Sequence, residues 1–381
     1  MGGSGGAGTG GAMGGSGGSG GAGGSSPPGS YKVEGVATWR GDKTAAFSVI
    51  HDDLCDASVN GIFSIADPEL VKRGLHGGFG AITETCDSQK AWGKVKTLVD
   101  HGHDLFSHSA THHCLGPAGD CSGNGTPSTD YAREIDATVA AIMKNVGVKT
   151  QFFIFPYDVC GSGAVAHLKQ TGFLGARCGD HGVLPADFTD AFQTTFDIWG
   201  PSYSKYVGKG PCAGVKPDGD AQPSTLPQAC RTYVLQTYID DTIKAKGWTT
   251  REMHGFDPGD IADGGWQTVT TGDYRIYLDY LKMKSDAGDL WVEGPTPVIK
   301  YRFAREKCGM PTVEGDKLHF GTPSADCTKY ATPVSYIVTT GGDPASLKTT
   351  QGAAVYPARK LGPGKFAVDA DPTKGDAVIS N

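Results

Sequence analysis

From Ala45 to Lys307 the chain alternates short apolar runs with segments of helical periodicity, and this repeat restricts the fold more than any other feature. Ala45-Ala46-Phe47-Ser48-Val49-Ile50 has the length and content of a buried strand. Residues 88–100 have helical spacing, stop at Gly102 and lead into the strand-like Asp104-Leu105-Phe106. Ser128-Thr129-Asp130 offers N-cap chemistry for a helix whose apolar positions Tyr131, Ile135, Val139, Ile142 and Val146 recur every three or four residues, and Gly147 ends it. A strand over 151–155 stops at Pro156; a helix over 163–170 precedes a short strand at Gly175-Ala176-Arg177; a long helix over 226–246 delivers a strand over 248–253. The last units are a helix over 274–285, a strand at Leu290-Trp291-Val292 and a helix over 297–307. Strand-then-helix units need crossover connections and therefore parallel strands, and their number predicts an α/β fold closed as a barrel.

The flanks differ in kind. The first 30 residues are almost wholly Gly, Ser, Ala and Pro, can bury no core, and read as a flexible linker. Gly2-Gly3-Ser4-Gly5-Gly6 matches a serine-hydrolase elbow in form only, since no strand precedes it. Beyond Cys308, β-like runs such as Ser335-Tyr336-Ile337-Val338-Thr339 alternate with Gly-Gly, Gly-Asp and Asp-Pro turns, which predicts a small C-terminal β-sandwich. The expected division is a linker over 1–30, the main domain over 31–307 and the β domain over 308–381.

Ten cysteines, none in a Cys-x-x-Cys pair, point to disulfides and an oxidising compartment, so an exported protein of the cell surface or exterior is expected. Cys308–Cys327 and Cys114–Cys121 close short turn-rich loops; Cys212–Cys230, Cys160–Cys178 and Cys55–Cys86 are the other expected pairs, although spacing alone does not determine connectivity. Met1 leads straight into glycine, which suggests a signal sequence removed ahead of it; a Gly/Ser tether also suits a lipid anchor before residue 1 in the native precursor. A net charge of −7 without a basic stripe argues against nucleic acid as a partner. No apolar stretch approaches the roughly 20 residues of a transmembrane segment.

Chemistry-bearing residues fall at the ends of the predicted strands. His51-Asp52-Asp53 follows the first strand, at the carboxyl end where barrels collect their catalytic groups. His108-Ser-Ala-Thr-His112 follows Asp104-Leu105-Phe106. Histidines four apart can share one face of a helical turn, and with one carboxylate they form a three-ligand metal set that leaves a position open for water. An isolated Asp-Asp is more often a turn, and an isolated His-x-x-x-His more often binds nothing. Both together, at strand ends, point to a hydrolase. Ser109 stands where zinc proteases carry their glutamate base, which makes Asp52 the candidate base. Among the other histidines, His113 is expected on another face and His103 in support of the sheet.

With these residues in view the chain resembles the polysaccharide deacetylases of carbohydrate esterase family four, the NodB-homology domain, from about Thr44 to Lys307. The resemblance rests on Asp52-Asp53, on the run from Gly102 to His112, on Ile154-Phe155-Pro156-Tyr157 set against the family's Arg-x-Pro-Tyr, and on Glu252-Met253-His254 set against its Leu-x-His. It implies a distorted (β/α) barrel and metal-dependent removal of acetyl groups from a glycan, N-acetyl favoured over O-acetyl. It implies one divalent metal, zinc with cobalt or nickel as alternatives, on Asp53, His108 and His112. Asp52 would be the base, Tyr157 would offer its backbone N–H to the oxyanion, and His254 would be the acid.

The chain departs from the pattern in three places. Ile154 stands where the family's arginine orients the base, and Arg177 is the candidate substitute. Glu252 replaces the leucine that helps wall the acetyl pocket. Asp197-Ile198-Trp199 only loosely echoes the family's Asp-Trp motif. Pro156, Arg177, Trp199 and Glu252 are expected around the substrate, with Trp248, Trp266, Tyr157 and Tyr203 as further rings able to stack on sugars. Two other readings remain open: a hydrolase of another non-peptide C–N bond, of cyclic imide or ureide type, and a catalytically inactive glycan-binding module.

Overall fold

The computed structural model describes residues 30–123, 125–199, 204–216, 225–257 and 265–381. Eight parallel strands form the main sheet: β2 (Ala45–Leu54), β3 (Gly78–Ala81), β4 (Asp104–Ser107), β5 (Phe152–Ile154), β6 (Gly175–His181), β7 (Thr194–Ile198), β8 (Trp248–Met253) and β9 (Leu290–Val292). The order is β3-β4-β5-β6-β7-β8-β2-β9, and β2 also pairs with β3. Seven strands therefore close on themselves as a barrel. Strand β2 does this by dividing its length: Ala45, Ala46 and Phe47 pair with β9, whereas Ile50, His51 and Leu54 pair with β3. Ten residues long and almost wholly buried, β2 is the longest strand and the natural seam of the barrel.

Helices Trp92–Asp100, Ala137–Val146, Ser162–Gln170, Gln228–Ala245, Thr271–Ala287 and Pro295–Lys307 pack around the sheet, close to their expected places. Local chemistry explains their ends. Asp130 Oδ1 accepts from the Arg133 N–H at 3.1 Å, and Gly147 takes the left-handed conformation at φ 82° that closes the helix before it. Between β6 and β7 only a short turn of 3₁₀ helix, Ala191–Gln193, intervenes, so the barrel is a distorted one.

Two strands lay outside the expected pattern. β3 carries Gly78 and Gly80, which weaken any strand signal, yet a Cβ at Gly78 would collide with the Phe106 ring on β4. β7, Thr194-Thr195-Phe196-Asp197-Ile198, has only two apolar residues among its five and is too short to stand out.

The C-terminal unit is a two-sheet sandwich. One sheet has the order β1-β12-β16-β15, from β1 (Lys32–Val36), β12 (Val334–Thr339), β16 (Lys365–Ala370) and β15 (Arg359–Gly362). The other has the order β10-β11-β17-β13-β14, from β10 (Thr312–Glu314), β11 (Lys317–His319), β17 (Ala377–Ser380), β13 (Lys348–Gln351) and β14 (Ala354–Pro357). Val334, Tyr336, Val338, Phe366, Val368 and Ile379 fill the space between the sheets. β1 (residues 32–36) falls within the main domain expected over 31–307, yet it hydrogen-bonds to β12 and so belongs to the sandwich. The two units are also tied by Arg40 Nε on Asp369 Oδ2 at 2.9 Å and by the Tyr301 hydroxyl on the Ala37 carbonyl at 2.9 Å.

All five expected disulfides are present: Cys55–Cys86, Cys114–Cys121, Cys160–Cys178, Cys212–Cys230 and Cys308–Cys327. Cys55–Cys86 clamps the end of β2 to the helix Thr83–Ser88 across a separation of 31 residues. Replacing both cysteines by alanine should lower stability by about 2–4 kcal/mol in equilibrium denaturation, the scale of the loop entropy released. An unchanged midpoint would show that this link does not constrain the fold.

Candidate active site

Successive residues of a strand normally face opposite sides, yet Asp52 and Asp53 line the same cavity, of about 490 Å³. The end of β2 makes this possible. Its pairing with β3 slips between His51 and Leu54, and Asp53 adopts φ 59°, followed by Cys55 at φ 84°. The local turn brings the second carboxylate round to join the first.

Three acceptor atoms meet at one side of this cavity. His108, one residue beyond β4, has its Nδ1 3.0 Å from the Ile154 carbonyl. A carbonyl only accepts, so Nδ1 carries the hydrogen and Nε2 of the neutral ring presents a lone pair. That Nε2 lies 3.3 Å from Asp53 Oδ1 and 3.1 Å from His112 Nε2, which is itself 3.2 Å from Asp53 Oδ1. Asp53 Oδ1 is buried without a hydrogen-bond donor. In the His112 tautomer that leaves Nε2 bare, three lone pairs face one another here, an arrangement that a positive charge among them stabilises.

The titration directions express the same demand. Burial pulls the His108 ring down, but the neighbouring carboxylates Asp53 and Asp52 outweigh it, and the net direction is up. Burial would raise the Asp53 carboxyl, yet His108, His254 and His112 hold it well below the usual carboxylate range. His112, buried and beside His108, is pushed down to about 4 and is a neutral donor at physiological pH. Two imidazoles and one carboxylate are the donor set of an open catalytic zinc-type site, and the residues fit one.

The two histidines do not share a helical turn, contrary to one expectation from their spacing. Residues 108–113 form a loop in which Ser109 and His112 take φ 66° and 61°, and the His112 N–H donates to Ser109 Oγ at 2.8 Å. A serine hydroxyl competing for backbone donors favours this turn over a helix. His113 points elsewhere, 3.3 Å from the buried Glu134, which also accepts from the Thr111 N–H and hydroxyl. His103 accepts from the Gly77 N–H and so donates from Nε2 to Asp67, which His101 also contacts. This second Asp-His-His group is a closed hydrogen-bonded set that supports the sheet.

Asp52 is held by Arg177. The guanidinium grips it in bidentate fashion, Nη1 to Oδ1 at 3.1 Å and Nη2 to Oδ2 at 2.8 Å, and both side chains are 2% exposed. In the β5–β6 pairing Arg177 is the direct cross-strand neighbour of Ile154. The cation missing from β5 is thus supplied at the same level by the next strand. Asp158 steadies it, accepting from Nε at 3.0 Å and Nη2 at 2.6 Å, and the Phe196 ring lies 5.0 Å from its centre. Burial would raise the Asp52 carboxyl, but Arg177, His108 and His254 together hold it below its ordinary value.

His254 follows β8, with Nε2 3.9 Å from Asp53 Oδ2 and 3.8 Å from Glu252 Oε1. His51 anchors it: His51 Nδ1 donates to the His254 carbonyl at 2.9 Å, and Nε2, 3.1 Å away, then accepts from the Tyr274 hydroxyl. Burial pushes His51 down to about 4, so it serves as a neutral tether. Glu252 is buried, and desolvation together with Asp158, Asp52 and Asp53 pushes its carboxyl up despite Arg177.

Of the residues expected around the substrate, the structure brings Arg177, Glu252 and Tyr157 to the cavity, with Asp158 and Trp266 beside them. Trp199 is not among them: it is buried in the core, its indole N–H donating to the Thr268 carbonyl at 3.0 Å. Trp248 is likewise buried, bonded to Ser48, and Pro156 is buried behind Tyr157. A tryptophan fits a core better than a rim when a backbone acceptor is at hand. Tyr203 lies outside the described residues. Asp197 pairs with Arg251 and His181 and stays in the barrel wall. Sequence reasoning missed Asp158 and His51; an acid directly after Pro-Tyr and a histidine directly before Asp-Asp were the available signals.

Arg177→Met would strand Asp52 and Asp158 without their cation, and should cost about 3–5 kcal/mol of stability at neutral pH. Because the folded Asp52 carboxyl lies below its unfolded value, its contribution is present above the unfolded pKa and lost as pH falls through the folded one. The destabilisation measured by denaturation should therefore shrink toward strongly acidic pH. A pH-independent difference would contradict the pairing.

The sequence model of the family described as polysaccharide deacetylase matches residues 56–176, a span that holds His108, His112 and Tyr157. Among curated proteins no sequence matches the chain. Among solved structures, the Xyl-CE4 domain of a multidomain xylanase from the hindgut metagenome of Trinervitermes trinervoides is 14% identical with a TM-score of 0.40, over 67% of this chain and 90% of that one. A family 4 acetyl xylan esterase from Clostridium thermocellum in complex with a cobalt ion is 11% identical with a TM-score of 0.39, over 66% and 89%. These likenesses are too distant to speak for chemistry. The family match supports a glycan deacetylase as the class of enzyme over the 56–176 segment that it covers.

Proposed function

We propose that this protein is a metal-dependent hydrolase that removes acetyl groups from a glycan, with N-acetyl ahead of O-acetyl. One observation carries the reading: Asp53 Oδ1, His108 Nε2 and His112 Nε2 converge within 3.3 Å of one another, Asp53 Oδ1 having no hydrogen-bond partner among the described residues, beside a carboxylate that an arginine orients. Asp53, His108 and His112 would hold one divalent ion, zinc first and cobalt or nickel by the same donor chemistry. Such an ion, when bound, polarises an acyl carbonyl and lowers the pKa of water.

The remaining work falls to the side chains. Asp52, kept ionised by Arg177, takes a proton from water. His254 faces the same cavity and gives a proton to the leaving atom; an amide nitrogen cannot depart without one, which favours N-acetyl. Tyr157, held at φ 59° beside His112, is assigned the oxyanion through its backbone N–H. The rings of Tyr157 and Trp266, 42% and 38% exposed, offer faces for sugar rings. Five disulfides support an oxidising, extracellular or cell-surface setting, and no described helix is long and apolar enough to cross a membrane.

Acetate release from chitin oligomers, peptidoglycan and acetylated xylan tests this. Chelation should abolish release and zinc restore it. Asp52→Asn and His254→Ala should each lower turnover by about 10²-fold or more while metal stays bound, whereas Asp53→Ala should lose the metal. Near-normal turnover in Asp52→Asn would show that the base is wrongly assigned. A metal-loaded protein that binds glycan tightly yet releases nothing would instead be a binding module.

A further inference from the structure

Among the described residues that line the cavity there is no aliphatic side chain. Gly123 apart, they are carboxylates, imidazoles, Arg177 and the rings of Tyr157 and Trp266. An acetyl methyl, whose burial is worth about 0.8 kcal/mol, would meet no aliphatic wall there. The acyl end of the cavity has instead Glu252, 2% exposed and set between Arg177 and His254.

Glu252 Oε2 is buried without a hydrogen-bond partner. Arg177 Nη2 is 3.2 Å away, but it has only two hydrogens and lies closer to Asp52, at 2.8 Å, and to Asp158, at 2.6 Å. Oε1 is 3.8 Å from His254 Nε2, beyond hydrogen-bond reach. A buried polar atom left in this state costs about 1–3 kcal/mol, and a ligand that donates to it recovers that loss. Because Glu252 and Asp52 flank the same guanidinium nitrogen, this acceptor sits beside the proposed base, on the side of the cavity where the hydrolase reading puts the reacting carbonyl.

We propose that Glu252 accepts a hydrogen bond from a hydroxyl on the carbon next to the reacting carbonyl, so that the preferred substrate is a glycan bearing a 2-hydroxyacyl, glycolyl-type amide. A neutral donor fits better than an ammonium group, which Arg177 and a metal cation would both repel. Hydrolysis breaks the C–N bond, adds the water oxygen to the acyl carbon and returns hydrogen to the nitrogen; the hydroxyl takes no part beyond recognition. The inference rests on the hydrolase reading above and specifies its acyl group.

The test compares N-glycolyl and N-acetyl glucosamine oligomers with the zinc-loaded wild type, Glu252→Gln and Glu252→Leu. It adds calorimetric binding of glycolate and acetate to the same proteins. The wild type should favour the glycolyl substrate at least about tenfold in kcat/KM, as expected when a site built around a hydrogen bond meets an analogue lacking it. Glu252→Leu should lose that preference, Glu252→Gln should keep part of it through its amide oxygen, and the tighter binding of glycolate over acetate should be largest in the wild type, smaller in Glu252→Gln and absent in Glu252→Leu. Cleavage of the acetyl substrate with no gain for glycolyl overturns the inference and leaves the hydrolase reading standing. Cleavage of neither overturns both. Should Glu252→Leu fail to fold, the wild-type substrate ratio and the glutamine variant still decide.

Discussion

One guanidinium holds together the buried charge at the mouth of the barrel. Asp52, Asp158 and Glu252 all approach Arg177 within 3.2 Å, and Asp53 stands nearby with only histidines for company. Two like charges about 4 Å apart cost roughly 4 kcal/mol at the effective dielectric of a protein's outer parts. Arg177 relieves this for Asp52 and Asp158, but its Nη2 lies closer to those two carboxylates than to Glu252, and it does not reach Asp53. The two unmet demands differ in kind. Asp53 Oδ1 faces two imidazole nitrogens, an arrangement that suits the proposed metal cation; Glu252 Oε2 has no donor among the described residues, an arrangement that suits the proposed hydroxyl.

The geometry that gathers these groups is strained. Of the non-glycine residues with positive φ, Asp53, Cys55, Ser109, His112, Tyr157 and Asp158 all lie at this rim. Each such conformation costs about 1–2 kcal/mol and persists only where its surroundings enforce it. The enforcement is visible. Cys55–Cys86 holds the end of β2, Cys114–Cys121 follows directly on the histidine loop, and Cys160–Cys178 joins the segment after Asp158 to the residue after Arg177. Three of the five disulfides thus bracket the segments that carry the candidate site, so these cross-links constrain its geometry as well as the fold.

Much of this was legible in the sequence because the signals were local. The helix caps at Asp130 and Gly147, the apolar run of β2 and the strand at Leu290–Val292 depend on neighbours in the chain, and they came out close to expectation. The motif residues were legible for the same reason: a parallel barrel delivers strand ends to one rim whatever the details of packing. What stayed hidden depends on distant partners. β3 exists because Phe106 needs glycines beside it, β1 joins the sandwich because β12 offers an edge, and Trp199 turns inward because Thr268 offers a carbonyl. Arg177 lay between the two cases. Its type could be guessed from the missing arginine, but its placement opposite Ile154 required the β5–β6 register.

The central claim is that the acceptors at Asp53, His108 and His112 define a metal centre. The most direct measurement is anomalous diffraction from crystals grown with zinc, recorded on both sides of the zinc edge. The account predicts one strong peak bonded to Asp53 Oδ1 and both Nε2 atoms at about 2.0–2.2 Å. Density elsewhere, or a crystal in which those three atoms close on one another with a proton and no metal under saturating zinc, would contradict it.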